Sequence, residues 1–99
     1  NLIINQGRIT GVIDWAEARL GDFVYDIAWL NFWSEETPYA DIFYDKLSNT
    51  RENLEQYQKR IACYTLHIGA SCLAINGHLD DSQGYQYALS RINTILKDI

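Results

Sequence analysis

The sequence predicts an α+β domain that is mostly α-helical: one N-terminal β-hairpin followed by about four helices. Three observations predict it. β-Branched and apolar residues crowd the first thirteen positions on either side of a Gly-containing turn. From Asp22 onward the apolar residues recur at helical spacing. The connections are short and no repeat or low-complexity stretch interrupts them, so residues 1–99 read as one domain with one core.

Leu2-Ile3-Ile4 is the first strand, Asn5-Gln6-Gly7 the turn, and Arg8 to Ile13 the second strand. An isolated hairpin is marginal in water, so this one must lie on something larger. Periodicity lapses from Ala16 to Gly21. Asp22 then suits an N-cap, and Phe23 to Trp33 reads as a helix apolar nearly all round, the pattern of a central, buried helix. Thr37-Pro38 predicts a cap with proline at the first helical position, opening a short helix from Tyr39 to about Leu47. Glu52 to Asn76 is the longest periodic segment, with Leu54, Tyr57, Ile61, Tyr64, Ile68, Cys72 and Ile75 on one face and Arg60 among the polar residues opposite. Gly77 is placed to end it. Asp80 or Asp81 caps the last helix, where Tyr85, Ala88, Leu89, Ile92, Ile95 and Leu96 share a face.

Composition narrows the function. Thirteen acids against eight bases give a net charge of −5, which argues against a nucleic-acid partner, since phosphate-backbone binding needs clustered Lys and Arg. It is compatible with a cationic small molecule. No apolar run approaches the roughly 20 residues of a membrane span. Cys63 and Cys72, on one helix, would be separated by about 13 Å along its axis, too far to pair. Two unpaired thiols and no signal-peptide pattern predict a reducing, cytoplasmic setting. His67 and His78 lack partners at metal-ligand spacing. The chain opens on Asn1-Leu2-Ile3-Ile4 with no lead-in and no Met, and reads as a piece of something longer.

The candidate chemistry gathers at the hairpin. Asp14 ends a β-branched run, so the ladder delivers its carboxylate to a defined place, either as a turn former or as a ligand for a hard cation such as Mg²⁺. Asn1 lies at the same open end of the two strands, and antiparallel pairing would bring the two positions to roughly 5–6 Å. Asp26 is a first-turn acid favoured by the helix dipole. Glu17 faces substrate or solvent. Trp29, Phe32, Trp33 and Tyr39 either fill the core or line a sugar-binding cleft, and Glu35, Glu36, Asp41 and Asp45 form either a solvated face or an attraction for a polyamine.

Asn1-Leu2-Ile3-Ile4, Gly7-Arg8-Ile9-Thr10-Gly11-Val12-Ile13-Asp14-Trp15 and Gly21-Asp22-x-x-x-Asp26-Ile27-Ala28 resemble the C-terminal lobe of the aminoglycoside phosphotransferase family, which has a protein-kinase-like fold. The run from Gly7 to Ala18 is especially similar to the hygromycin B phosphotransferases within it. The resemblance covers roughly the first third of the chain; beyond Trp33 it is general. It implies that residues 1–99 are a C-lobe fragment of an ATP-dependent kinase acting on a small-molecule hydroxyl, most simply of a cationic aminoglycoside, and hence conferring antibiotic resistance. Asn1 would be the last residue of a His-Gly-Asp-x-x-x-x-Asn catalytic loop and Asp14 the counterpart of the kinase Asp-Phe-Gly aspartate, both ligands of Mg²⁺, with ATP as co-substrate. Asp22 and Asp26 would support the catalytic loop, and Glu17 would be a weak substrate contact.

The general-base aspartate belongs upstream of Asn1, and the glycine-rich loop and phosphate-binding lysine are likewise not in this sequence. The fragment by itself is therefore expected to be inactive and to expose apolar surface that promotes self-association. Two alternatives stay open: a kinase of the same broad family acting on choline, homoserine, a macrolide or another metabolite, and a non-catalytic helical binding module.

Overall fold

The computed structural model describes residues 1–98. It shows the hairpin, β1 (Leu2–Asn5) and β2 (Arg8–Val12), followed by α1 (Val24–Trp33), α2 (Tyr39–Leu47), α3 (Tyr57–His78) and α4 (Ser82–Asp98). The strands pack on each other and the helices pack on each other, α3 touching all three of its fellows. The radius of gyration is 15.0 Å, against about 13 Å for a compact chain of this length. The excess reflects a hairpin that projects from the helices.

Gln6 and Gly7 both adopt positive φ (49° and 74°), the pattern of the type I′ turn that matches strand twist. Asn5 pairs with Arg8 and Ile4 with Ile9, but Ile3 pairs with Gly11. Thr10 is thus an extra residue, a β-bulge, and its hydroxyl donates to the Ile3 carbonyl at 3.3 Å.

The core is built from one side of α1 (Val24, Ile27, Ala28, Phe32), Ala40 of α2, Tyr57, Ile61 and Ile68 of α3, and Ala88 of α4. The expectation that α1 is buried all round holds for only part of it, because Trp29, Leu30 and Trp33 remain exposed. Buried Thr65 donates to the Ile61 carbonyl at 2.7 Å, so its hydroxyl is satisfied within the helix.

Three helix boundaries differ from the sequence reading, each for a local reason. α2 begins at Tyr39 with Pro38, not Thr37, in the capping position. Its orphan N–H at Ala40 is taken instead by the Asn31 side chain, reaching across from α1 at 3.2 Å. α3 begins at Tyr57 rather than Glu52. The Asn53 side chain accepts from the Glu55 N–H at 2.9 Å, a local bond that competes with helix, and Gln56 is left-handed at φ 51°. Finally, α3 runs through Gly77 to His78. The stop is Asp80, left-handed at φ 54°, with the Asp81 N–H bonding the Asn76 carbonyl at 2.9 Å in a Schellman-type closure. Asp81 then caps α4, its Oδ1 accepting from the Gly84 N–H at 3.0 Å.

Gly69 marks a close approach of α3 to α4. A Cβ there would sit 2.5 Å from Ile92 Cγ1 and 3.3 Å from Phe32 Cε2. Gly69→Ala gains about 1 kcal/mol of helix propensity, while overpacking costs about 1–3 kcal/mol. The expected outcome is a net loss of stability in chemical denaturation. Adding Ile92→Val, which thins the opposing side chain, should recover part of it.

Candidate functional site

The hairpin and the segment after it place the sequence-predicted acids. At the open end of the ladder the Ile13 N–H donates to the Asn1 carbonyl at 2.9 Å. The bulge sets this register: Asn1 lies opposite Ile13, and Asp14 follows one residue on. Asp14 is left-handed, φ 63°, a conformation that costs most residues but that Asp tolerates better. The Trp15 indole N–H donates back to the Val12 carbonyl at 2.9 Å, and the Ala18 N–H to the Trp15 carbonyl at 3.0 Å. The ladder on one side and the Trp15 clamp on the other therefore hold the backbone at Asp14, while its carboxylate and the Asn1 amide have no hydrogen-bond partner among the described residues. Both are exposed oxygen donors at one end of a fixed hairpin.

That chemistry fits a hard divalent cation with part of its coordination supplied from elsewhere. Among the described residues no group of three or more His, Cys, Asp or Glu side chains is gathered for a metal. A site here would use the Asn1 amide with Asp14 and oxygens from outside the chain.

Asp22 is placed differently. Its Oδ1 accepts from the Val24 N–H at 3.1 Å, so it does cap α1. It also forms a two-pronged ion pair with Arg60 of α3: Arg60 Nε donates to Oδ2 at 2.9 Å and Nη2 donates to Oδ1. The Tyr64 hydroxyl donates to Oδ2 at 3.1 Å. The guanidinium also lies 5.6 Å from the centre of the Phe23 ring. The Arg60 hydrogen bonds, above all, hold the Asp22 carboxyl at about 2, below its usual 3.8. The bonds to Asp22 push Arg60 up, and the Tyr64 hydroxyl is likewise pushed up by its own bond to Asp22. Sequence reading placed Arg60 on a solvated face and missed it. The available signal was the i, i+4 spacing of Arg60 and Tyr64, which sets both on one stripe of α3.

Asp26 is exposed on the first turn of α1 and its side chain has no partner among the described residues. Glu17 pairs with Arg19 at 3.2 Å on the open surface, an arrangement worth little. Phe32, Tyr57 and Tyr64 are absorbed into packing and hydrogen bonds; the Tyr57 hydroxyl donates to the Ala40 carbonyl at 2.9 Å. Cys63 and Cys72 are both free. No helix among the described residues is long and apolar enough to cross a membrane.

Residues 1–59, from the hairpin to the first turn of α3, match the profile of the phosphotransferase enzyme family, APH. This chain belongs to that family. It is also 30% identical to the hygromycin-B 4-O-kinase of Escherichia coli over 107 residues, an alignment that takes in 98% of this chain and 28% of the kinase. The chain thus spans little more than a quarter of that relative's length. No solved structure matches it. The phosphotransferase match includes both Asn1 and Asp14 and ends one residue short of Arg60.

The Asp22–Arg60 pair yields a pH prediction for this chain. A carboxyl held below its unfolded value stabilises the fold fully above about pH 3.8, and the contribution is lost as pH falls through about 2. The shift corresponds to about 2 kcal/mol. Asp22→Asn is expected to unfold at lower denaturant concentration than the parent at pH 7, and the gap should close as the pH drops toward 2. A gap independent of pH would mean that shape, not charge, is what Asp22 contributes.

Proposed function

We propose that this chain carries the metal-binding end of an ATP-dependent phosphotransferase that phosphorylates a hydroxyl of an aminoglycoside. One observation carries the reading: Asp14 is clamped at the hairpin's open end, one residue past Asn1's ladder partner Ile13, inside the family-matched segment, with a carboxylate that has no hydrogen-bond partner among the described residues. Mg²⁺ bound with ATP would neutralise charge on the phosphoryl group in transfer. Asp14 would hold it with a full negative charge and Asn1 with a neutral amide oxygen. The backbone bonds at Ile13 and Trp15 fix where the Asp14 carboxylate springs from, which would lessen the reorganisation needed when the nucleotide arrives.

The 30% identity to hygromycin-B 4-O-kinase supports an aminoglycoside as substrate, and the net charge of −5 suits a cationic one. Asp22 and Asp26 have supporting roles in this reading. Asp22 fixes the start of α1, and Asp26, exposed on that helix, would bond the backbone of the catalytic loop. Glu17, paired only with Arg19 on the surface, would contribute least to substrate binding.

The decisive substitution is Asp14→Asn in the full-length gene product. It keeps the shape and the tolerance for left-handed φ but removes one negative charge from the metal site. Turnover of ATP with hygromycin B at saturating Mg²⁺ is expected to fall at least ~10²-fold. The melting temperature should hardly change, because no core contact is lost. Glu17→Gln should cost far less. Full activity in Asp14→Asn, or loss only through unfolding, would make Asp14 a structural turn residue.

The hairpin also supports self-association of the 99-residue chain. Leu2, Ile3, Ile4, Ile9, Val12 and Ile13 are all exposed, and the strands' outer edges are unpaired among the described residues. Light scattering over a wide concentration range should show the apparent mass rising, and Ile4→Lys should suppress the rise. A constant monomer mass would refute this.

A further inference from the structure

We infer that β1 is the edge through which two copies of this chain join. Their first strands pair antiparallel about a two-fold axis at Ile3 and make one four-stranded sheet. The inference rests on the self-association reading above and adds the strand, the symmetry and the register.

A two-stranded sheet has two outer edges, and the two differ here. β2 carries the Thr10 bulge and Arg8, and bulges and charges are devices that keep an edge from pairing. β1 has neither: Leu2–Asn5 is uncharged, and all four residues are exposed. The strands pack on each other and the helices on each other, which leaves this edge clear of the bundle.

The hydrogen bonds already made decide which groups point outward. The Asn1 carbonyl accepts from the Ile13 N–H at 2.9 Å, and the Ile3 carbonyl from the Thr10 hydroxyl at 3.3 Å. Asn1 and Ile3 therefore face β2, and the alternation of a strand turns the N–H and C=O of Leu2 and Ile4 the other way. These four groups are self-complementary. With Ile3 opposite Ile3 of a second copy, Leu2 faces Ile4 and Ile4 faces Leu2, and four hydrogen bonds use all eight groups. Setting Ile4 against Ile4 would put Leu2 opposite Gln6 of the turn. Setting Leu2 against Leu2 would carry Ile4 beyond the end of the second copy's β1.

The side chains agree with this register. Leu2 pairs with Val12 and Ile4 with Ile9, so the four share one face, each 49–64% exposed. The two-fold axis puts that face of both copies on the same side of the sheet, with Leu2 of each beside Ile4 of the other, an aliphatic cross-strand pair. Arg8, the one charged side chain in residues 1–13, falls on the outer strands. The two copies of it are then three strand spacings, about 14 Å, apart or more, so like charges do not meet. A lone hairpin is marginal in water, whereas three or more strands with an apolar face hold together.

The test uses the 99-residue chain. Hydrogen exchange at the Leu2 and Ile4 amides should slow at least tenfold from dilute to concentrated solution, while the Ile9 amide on the guarded edge should not change. The register is read by cross-linking. Cys63→Ser and Cys72→Ala remove the native thiols, and Ile3→Cys is added. Partners of a non-hydrogen-bonded pair lie about 4.5 Å apart, within disulfide reach, so mild oxidation should give a covalent dimer. Ile9→Cys in the same background should not. Faster cross-linking through Ile9 than through Ile3 would mean that the hairpins stack face to face, and would overturn the inference. Exchange at Leu2 and Ile4 that ignores concentration would overturn it in the unsubstituted chain, whatever the substitutions do to folding. Either result with a rising mass in light scattering defeats edge pairing and leaves self-association standing; a constant monomer mass refutes both.

Discussion

The Asp22–Arg60 pair determines where two helices begin. A half-buried carboxylate is costly unless its lone pairs are used, and here four donors use them: two from Arg60, the Tyr64 hydroxyl and the Val24 N–H. The last of these starts α1. The same guanidinium also donates to the Asn53 and Glu55 carbonyls at 2.7 and 3.3 Å, which holds the turn before α3 in its non-helical form. One cation thus ties the segment leaving the hairpin to the longest helix. Taking away either partner would leave the other charge partly buried and unpaired, the expensive way to break an ion pair.

The hairpin depends on no such long-range bond. Its geometry is local: a two-residue turn with positive φ at Gln6 and Gly7, a bulge at Thr10, and a left-handed residue at Asp14. The bulge matters most, because a one-residue change of register moves every partner by one. Without Thr10 as the extra residue, Asn1 would sit across from Val12 and Asp14 would lie two positions beyond the ladder's end. With it, Ile13 closes the ladder and Asp14 comes directly after. A thermodynamically odd feature, the unpaired residue in a short strand, is therefore what sets Asp14 directly after the last residue of the ladder.

This contrast explains what the sequence made legible. The hairpin, the apolar periodicity of α1 and α3 and the acid at Asp14 are written in short-range pattern, and so was the family. The boundaries that shifted depended on bonds between elements: Asn31 capping α2 from α1, and Arg60 holding the turn before α3. Gly77 invited a stop that Asp80 made instead, because the Asp81–Asn76 closure only needs one left-handed residue and Asp can supply it. Arg60 looked like solvated decoration, since nothing local marks a basic residue whose partner lies 38 positions away. Trp29 and Trp33 read either as core or as the lining of a cleft. Their exposure depends on how wide an apolar stripe the neighbouring helices cover, and hydrophobic spacing does not record that.

α1 is gripped at both ends by arginines from later helices, in the electrically favourable sense. At its N-terminus, where the helix dipole is positive, the contact is the carboxylate of Asp22, itself anchored by Arg60. At its C-terminus, where the dipole is negative, Arg91 is bound directly to the last carbonyls. A helix so fixed acts as a rigid strut: its ten residues, about 15 Å, run from Val24 to Trp33 with an arginine-held anchor at each end. The two arginines thus hold α1 as one piece against α3 and α4, while the hairpin that carries Asp14 keeps its shape through its own local bonds.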